Sequence, residues 1–206
     1  MVTSVTIIYS SDVAFTPSVK AVQTRKGSRR IYERVEAKNG WQTRITPELA
    51  AFASSQTSFF LATANKEGQP YVQHRGGPPG ILQALDASTF GFADFSGNRQ
   101  YITLGNLAEN PQVHLFLIDY AQRKRVKIWG HARVIEDDPD LLAKLTPPNY
   151  RARAEQAILI DVDAWDLNCP RHIPLRFEAA DVAVALQDRD KRIAELEKEL
   201  AQVRQG

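Results

Sequence analysis

The spacing of apolar residues changes near residue 57. Before that point, segments such as Ser28 to Glu36 carry apolar side chains at helical spacing. Pro17 and Thr46-Pro47-Glu48 indicate helix starts, because proline fits the first turn of a helix. The pattern therefore predicts a helical segment across residues 17–55.

From residue 57 the apolar residues alternate with polar ones, which is typical of strands. The predicted strands are SFFLAT, QPYVQH, ILQAL, TFGFAD, QVHLFLID, RVKIWGHARVIE and EQAILIDVDAW. Lys66 to Pro70 predicts a hairpin loop and Asp86 to Ser88 a tight turn. Helices are predicted from Arg99 to Glu109 and from Pro139 to Leu145. A parallel sheet needs a crossover helix at each connection. The small number of helices between the predicted strands therefore favours an antiparallel barrel.

The last segment, Ala179 to Gly206, predicts a charged helix with Leu186, Ile193, Leu196, Leu200 and Val203 on one heptad seam. Such a seam packs either on its own domain or on a second copy, and the pattern leaves both open. The expected fold class is mainly β with flanking helices, a six- to seven-stranded antiparallel split barrel. The expected domain organisation of the chain is an N-terminal helical extension (1–45), the barrel domain (46–178) and the C-terminal helix (179–206).

Composition narrows the classes of protein. The 206 residues, 43% hydrophobic and 24% charged, suit one globular core, and no apolar run reaches the roughly 20 residues that span a bilayer. The N-terminus lacks a basic leader and a long apolar stretch, so we expect a cytoplasmic protein. A net charge of +2 is too small to predict nucleic-acid binding. The single cysteine, Cys169, excludes an internal disulfide and a cysteine-rich zinc site.

Two stretches combine cations with backbone suited to a ligand. QHRGGPPG, Gln73 to Gly80, presents His74 and Arg75 before three glycines, which allow close approach of a planar or anionic group. In FADFSGNRQYITLGNLAENP, a strand passes through Gly97-Asn98 into a predicted helix, and a helix N-terminus attracts anions. Asn98 is alternatively a plain helix cap with Arg99 in solvent. We expect Arg75 and Arg99 to converge at one rim of the barrel.

AWDLNCPRHIPLRF, Trp165 to Phe177, ends the globular part. Cys169 and His172 offer only two ligands for a metal, so no metal site is predicted, and an inert buried thiol is the simpler interpretation. No serine nucleophile elbow, Walker loop or dinucleotide-binding glycine motif occurs.

Together, PYVQHRGGPPG, FADFSGNRQYITLGNLAENP, RVKIWGHARV and the closing Trp and Arg-Phe resemble the FMN-binding split barrel of the pyridoxamine 5′-phosphate oxidase-like family, from about Pro47 to Phe177. The resemblance implies a homodimer with FMN at the subunit interface. It implies a flavin-binding set, with Trp165 and Arg176 completing the site from the other subunit. That set is His74, Arg75, Gly76, Gly77, Ile81, Ala93, Asp94, Asn98, Arg99, Gln100, Arg125, Trp165 and Arg176.

The chain departs from the family pattern more at the site for the vitamin B6 substrate than at the site for FMN. Gln100 stands where the oxidase has a lysine, and the serine that follows Tyr150 and Arg153 in the oxidase is missing. His172 and Pro174 replace an arginine and a histidine of the oxidase. The FMN site is therefore better matched than the site for the B6 substrate.

The leading hypothesis is a flavoprotein oxidoreductase acting on a small molecule, with NADH or NADPH as a candidate electron donor and no nucleic-acid or membrane partner. His74 and His172 are the candidate proton donors, because imidazole titrates near neutrality. The alternative from another class is a binding or sensing module that holds FMN, a flavin-like cofactor or heme without turnover. Pyridoxamine 5′-phosphate oxidation itself and a purely structural dimer are the remaining alternatives.

Overall fold

A computed structural model describes residues 9–168 and 170–205. Within these ranges, the contacts divide the chain into two compact units. The first runs up to Ile118 and resumes from Arg125, and the second comprises Asp119–Lys124 and the residues from Pro170 onward.

The predicted helices and strands are present in the described part of the chain. The helices are a 3-10 helix (Ser10–Val13), α1 (Pro17–Arg25), α2 (Arg29–Glu36), α3 (Pro47–Ser55), α4 (Ile102–Glu109), α5 (Pro139–Leu145) and α6 (Ala179–Gln205). The strands are β1 (Ser58–Ala64), β2 (Pro70–Gly76), β3 (Gln83–Ala84), β4 (Thr89–Phe95), β5 (Gln112–Asp119), β6 (Lys124–Ile135) and β7 (Ala154–Asn168).

The seven strands form one antiparallel sheet in the order β2-β1-β5-β6-β7-β4-β3. The sheet is open, with β2 and β3 at its edges, so the expected mainly-β split barrel with flanking helices is confirmed. Strand β7 lies between β6 and β4, and it is the longest strand of the described residues.

Alternation along the strands builds the core on the inner face of the sheet. In β1, Phe59 and Leu61 are buried while their neighbours are partly exposed. Strand β4 is buried on both faces, because Phe90 and Phe92 face the main core while Ala93 packs with Leu145 of α5. Residues 93 and 94 are thereby fixed at the end of a rigid strand.

Two of the three α-helices of the N-terminal segment begin at a capping threonine that precedes a proline. The hydroxyl groups of Thr16 and Thr46 accept hydrogen bonds from the third residue of α1 and of α3. Trp41, after α2, stacks on Trp129 of β6 with ring centroids 4.7 Å apart. This contact attaches the N-terminal segment to the outer face of the sheet.

The predicted start of α4 is wrong by three residues. Arg99 and Tyr101 have φ angles of 57° and 53°, which are left-handed and incompatible with a helix. The side chain of Asn98 accepts a hydrogen bond from the N–H of Gln100, at 3.2 Å, and closes a local turn instead. The helix therefore begins at Ile102, and Arg99 and Gln100 belong to the preceding loop.

The second unit has its own contacts. The guanidinium carbon of Arg176 lies 4.6 Å from the centroid of the Tyr120 ring, and Arg123 Nε donates to the carbonyl of Ile173 at 3.0 Å. Helix α6 runs from Ala179 to Gln205, and Gly206, the last residue of the predicted helix, lies outside the described residues. Among the described residues, no helix is long and apolar enough to cross a bilayer.

Candidate functional site

Two adjoining pockets lie where β2 meets the end of β4. They enclose about 210 and 260 Å³ and share Gln73, Arg75 and Phe95 in their walls. Sites for small molecules and cofactors span roughly 300–1,000 Å³, so the two pockets together, and neither alone, have the size of a cofactor site. We call the one in front of α4 the loop pocket and the one beneath residues 76–81 the strand pocket.

Arg75 is the side chain common to both pockets. It forms an ion pair with Asp94 through Nη1 and Oδ1, and its guanidinium carbon lies 5.6 Å from the centre of the Phe92 ring. Asp94 Oδ2 in turn accepts a hydrogen bond from Gln156 Nε2 at 2.6 Å. The two charged side chains are only 14% and 9% exposed, so the pair is held rigidly on two strands.

The Nε atom of Arg75 is buried and has no hydrogen-bond partner among the described residues. A buried donor left without an acceptor costs roughly 1–3 kcal/mol. Asp94 therefore fixes one end of the guanidinium without satisfying all of its donors. An acceptor supplied by a ligand at the shared wall of the two pockets would remove this cost.

The loop before α4 is shaped for an anion. Arg99 and Tyr101 both line the loop pocket, and both hold the left-handed conformation that residues other than glycine seldom adopt. Tyr101 is the N-cap residue of α4 and provides no side-chain cap. The first N–H groups of a helix have no intrahelical acceptor and carry the positive end of its dipole, so the pocket faces a group of free donors.

The charges of the loop pocket are nearly balanced. Arg75 and Arg99 face the carboxylates of Asp94 and Glu155, which line the same pocket. Because Asp94 already pairs with Arg75, the anion attraction of this pocket depends on Arg99 and on the N–H groups of α4.

The glycine-rich stretch has a role in the packing of this chain. The N–H groups of Gly77 and Gly80 donate to the carbonyls of Thr57 and Ser54 at 2.9 and 2.7 Å, which ties the stretch to the end of α3. A Cβ at Gly77 would lie 2.6 Å from the side chain of Ile81. The space beside this glycine is thus already filled from within the chain.

His74 lies on the opposite face of β2 from Arg75. It is exposed, its ring contacts Phe60 at a centroid distance of 5.5 Å, and it lines the strand pocket together with Gly76. Ile81 and Ala93 line the same pocket. The structure therefore brings together most of the predicted flavin-binding residues of β2 and β4.

Other predicted site residues lie elsewhere in the described chain. Gln100 is exposed beside Asn98. Arg125 is the second residue of β6, and its buried Nε has no hydrogen-bond partner among the described residues. Trp165 is buried in the core, and its indole N–H donates to the carbonyl of Arg44 at 2.9 Å. His172 and Arg176 belong to the second unit. The cofactor roles of these residues stay predictions.

Sequence analysis missed several side chains of the two pockets. Gln73 lies two residues before Arg75 on the same face, and its Oε1 accepts a hydrogen bond from the Thr103 hydroxyl at 2.7 Å. Strand alternation could have identified it. Tyr150, whose ring packs edge-on against Phe95 with centroids 4.9 Å apart, was named only in the incompletely matched substrate segment of the family resemblance and not in the flavin-binding set. No group of three or more metal-ligating side chains occurs among the described residues.

Comparison with known proteins identifies the family of the chain. The sequence model described as pyridoxamine 5′-phosphate oxidase matches residues 45–169. HupZ of Group A Streptococcus is 18% identical over 60% of this chain and 93% of its own, with a TM-score of 0.49. An FMN-binding protein from Syntrophomonas wolfei is 11% identical over 74% and 95%, with a TM-score of 0.46. HutZ, the heme storage protein of Vibrio cholerae, is 17% identical over 61% and 94%, with a TM-score of 0.43. No curated protein matches the chain.

Proposed function

The chain belongs to the pyridoxamine 5′-phosphate oxidase family, and we propose that it is a flavoprotein that binds FMN and uses it to oxidise or reduce a small molecule. The observation that supports this most is the convergence of Arg75 and Arg99 on one pocket in front of the uncapped N-terminus of α4. FMN has a dianionic phosphate and a planar ring, and the two adjoining pockets offer one environment for each.

The residues of the loop pocket fit a phosphate. Arg99 and the free N–H groups of α4 would hold it, since charge-assisted hydrogen bonds to phosphate oxygens are the strongest available at such a site. Gln100 contributes no charge there, in contrast to the lysine expected from the family pattern. We therefore expect Arg99 to supply the main side-chain charge for the phosphate.

The residues of the strand pocket fit a flat ring. Phe92, Ala93 and Ile81 give it an apolar wall, and Arg75 lies at its border with an unsatisfied donor. Asp94 and Gln156 orient that guanidinium before any ligand arrives, which lowers the entropy lost on binding. Bound FMN would supply hydride or electron transfer. Of the two candidate proton donors, His74 lines the strand pocket, so we favour it.

A homodimer is part of the proposal. Family resemblance supports Trp165 and Arg176 as contributions from the second subunit, with FMN at the interface. Trp165 is 8% exposed, so its contribution would be to hold the backbone of β7 in place. Arg176 is exposed and has a free face beyond its contact with Tyr120.

The visible absorption spectrum tests this proposal. The purified protein is mixed with excess FMN, desalted and scanned, and we expect the bands of oxidised flavin to be retained. Anaerobic addition of NADH or NADPH should then bleach those bands. Retained flavin that neither nucleotide reduces would favour the non-catalytic binding module, and a colourless protein after desalting would exclude FMN binding.

A further inference from the structure

Helix α6 has no packing partner among the described residues that would explain its apolar side chains. Every described side chain of the helix is exposed. Its apolar members keep 42–78% of their surface in solvent. They are Val182, Val184, Leu186, Ile193, Leu196, Leu200 and Val203. A helix of this kind gains its stability in proteins by burying an apolar face against another element.

Most of these residues fall in a heptad pattern. Taking Leu186, Ile193 and Leu200 as position a places Val182, Leu196 and Val203 at position d. The central heptad combines a β-branched residue at a, Ile193, with leucine at d, Leu196. This combination favours two parallel strands over larger bundles.

The charged residues that flank the seam specify the same arrangement. In this frame Arg192 and Glu199 occupy position g, and Glu197 and Arg204 occupy position e. In a parallel pair in register, each g residue faces the e residue five positions later on the other helix. Arg192 then faces Glu197 of the second copy, and Glu199 faces its Arg204, so every such charged pair is of opposite sign.

We propose that α6 pairs with α6 of a second copy of this chain as a parallel, in-register two-stranded coiled coil. Within one chain Arg192 binds Glu195, three residues on, at 3.0 Å, and its side chain remains 60% exposed, so it is accessible to the second copy. The inference does not depend on FMN.

Arg189 is the exception on the seam and fits this arrangement. It occupies a d position, where a charge lowers the stability of the pair. Its long side chain reaches the edge of the seam, where Asp190 of the second copy, at e, offers a carboxylate. In the antiparallel pair that sets Leu186 opposite Val203, Asp190 would face Glu197, and two carboxylates would repel each other. Arg192 would then face Glu199, so attraction and repulsion would offset each other, whereas every flanking charged pair of the parallel arrangement attracts.

Cysteine cross-linking of the full chain tests the arrangement. Cys169 is first replaced by Ser, and Leu196→Cys is compared with Lys198→Cys, which places the thiol at the outward f position. Both variants are equilibrated with reduced and oxidised glutathione, and the disulfide-linked dimer is quantified. The parallel pair predicts a strong cross-link through residue 196 and little through residue 198.

A charge exchange gives a second measurement on the same cross-link. Adding Arg192→Glu to Leu196→Cys brings two carboxylates together at both symmetric pairs of positions 192 and 197. This change should lower the equilibrium fraction of dimer about ten-fold. Adding Glu197→Arg as well should restore it. Equal cross-linking at residues 196 and 198, no cross-link at either, or a preferred mixed disulfide between Leu186→Cys and Val203→Cys chains would each overturn the parallel pair. The flavin spectrum of the same variants reports on the proposed function separately.

Discussion

Arg99 provides the side-chain cation of the loop pocket that forms no ion pair among the described residues. Replacing it with alanine should weaken FMN binding by about 1.5–3 kcal/mol, the range for a hydrogen bond to a charged group. By contrast, the same replacement at Arg30, an exposed residue of α2, changes the net charge equally but should leave the affinity unchanged. Fluorescence titration of FMN measures both, and equal affinities for the two variants would remove Arg99 from the site.

Arg75 and Asp94 show what a sequence can and cannot reveal about single residues. Sequence analysis identified Arg75 as a cation between a strand and a run of glycines, and the family resemblance listed Arg75 and Asp94 in the same flavin-binding set. The direct ion pair between Arg75 and Asp94 was not predicted, because the strands that carry them, β2 and β4, are not neighbours in the sheet. The pairing makes Arg75 a structural residue as well as a candidate ligand of the flavin.

At the level of elements, alternation and capping residues predicted nearly every helix and strand. Seven strands and the helices beginning at Pro17, Pro47 and Pro139 lie where the pattern placed them. The start of α4 was missed because Arg99 and Tyr101 adopt left-handed backbone, which side-chain type does not signal unless the residue is glycine. Strained backbone of this kind is concentrated at binding sites, which agrees with the place of this loop in the pocket.

Gly130 is the point where β6 changes its register against β7. The shift lies between Trp129 and Gly130, and a Cβ there would lie 2.3 Å from the carbonyl oxygen of Asp161. Since backbone must move to accept a methyl group, Gly130→Ala should lower the free energy of unfolding by about 1–3 kcal/mol.

Gly105 offers the matched control in α4. A Cβ at that position meets no atom within 4 Å. Gly105→Ala should therefore raise the free energy of unfolding by up to about 1 kcal/mol, because alanine favours the helix. Urea unfolding measures both, and a loss of stability in Gly105→Ala as large as in Gly130→Ala would contradict the role given to the register shift.

At the level of the whole molecule, the site is assembled from segments far apart in the chain. Phe59 and residues 73–81, 92–104 and 150–155 supply its walls, and only residues 73–81 and 92–104 carry a sequence signal for the flavin site. The convergence of Arg75 and Arg99 was expected from their places at the ends of strands in an antiparallel barrel, and the family resemblance implied the rest of the shared site. The resemblance named Tyr150 in the segment for the B6 substrate, and Gln156 could not be identified at all.

The stability of the whole protein should depend on pH through His114. This residue of β5 packs edge-on against Trp129, with ring centroids 4.8 Å apart, and it lines a pocket on the outer face of the sheet. Burial, with a smaller effect of the Lys127 charge, lowers its pKa from 6.5 to about 4. The nearby His131 and Asp163 pair with each other at 2.8 Å. His114 is therefore neutral in the folded protein at pH values where it would be protonated in the unfolded chain.

A lowered histidine pKa makes the folded state less stable in acid. Between pH 6.5 and pH 4 the unfolded chain binds a proton that folded His114 does not, so the free energy of unfolding falls as the pH falls through this window. The loss attributable to His114 from pH 7 to pH 5 should be about 1 kcal/mol, because the ring keeps part of its solvent contact. His114→Gln should lose this part of the pH dependence, and His131→Gln should retain it. Urea unfolding of the three proteins at pH 7 and pH 5 measures the difference, and an identical pH dependence in the wild type and His114→Gln would show that another group is responsible.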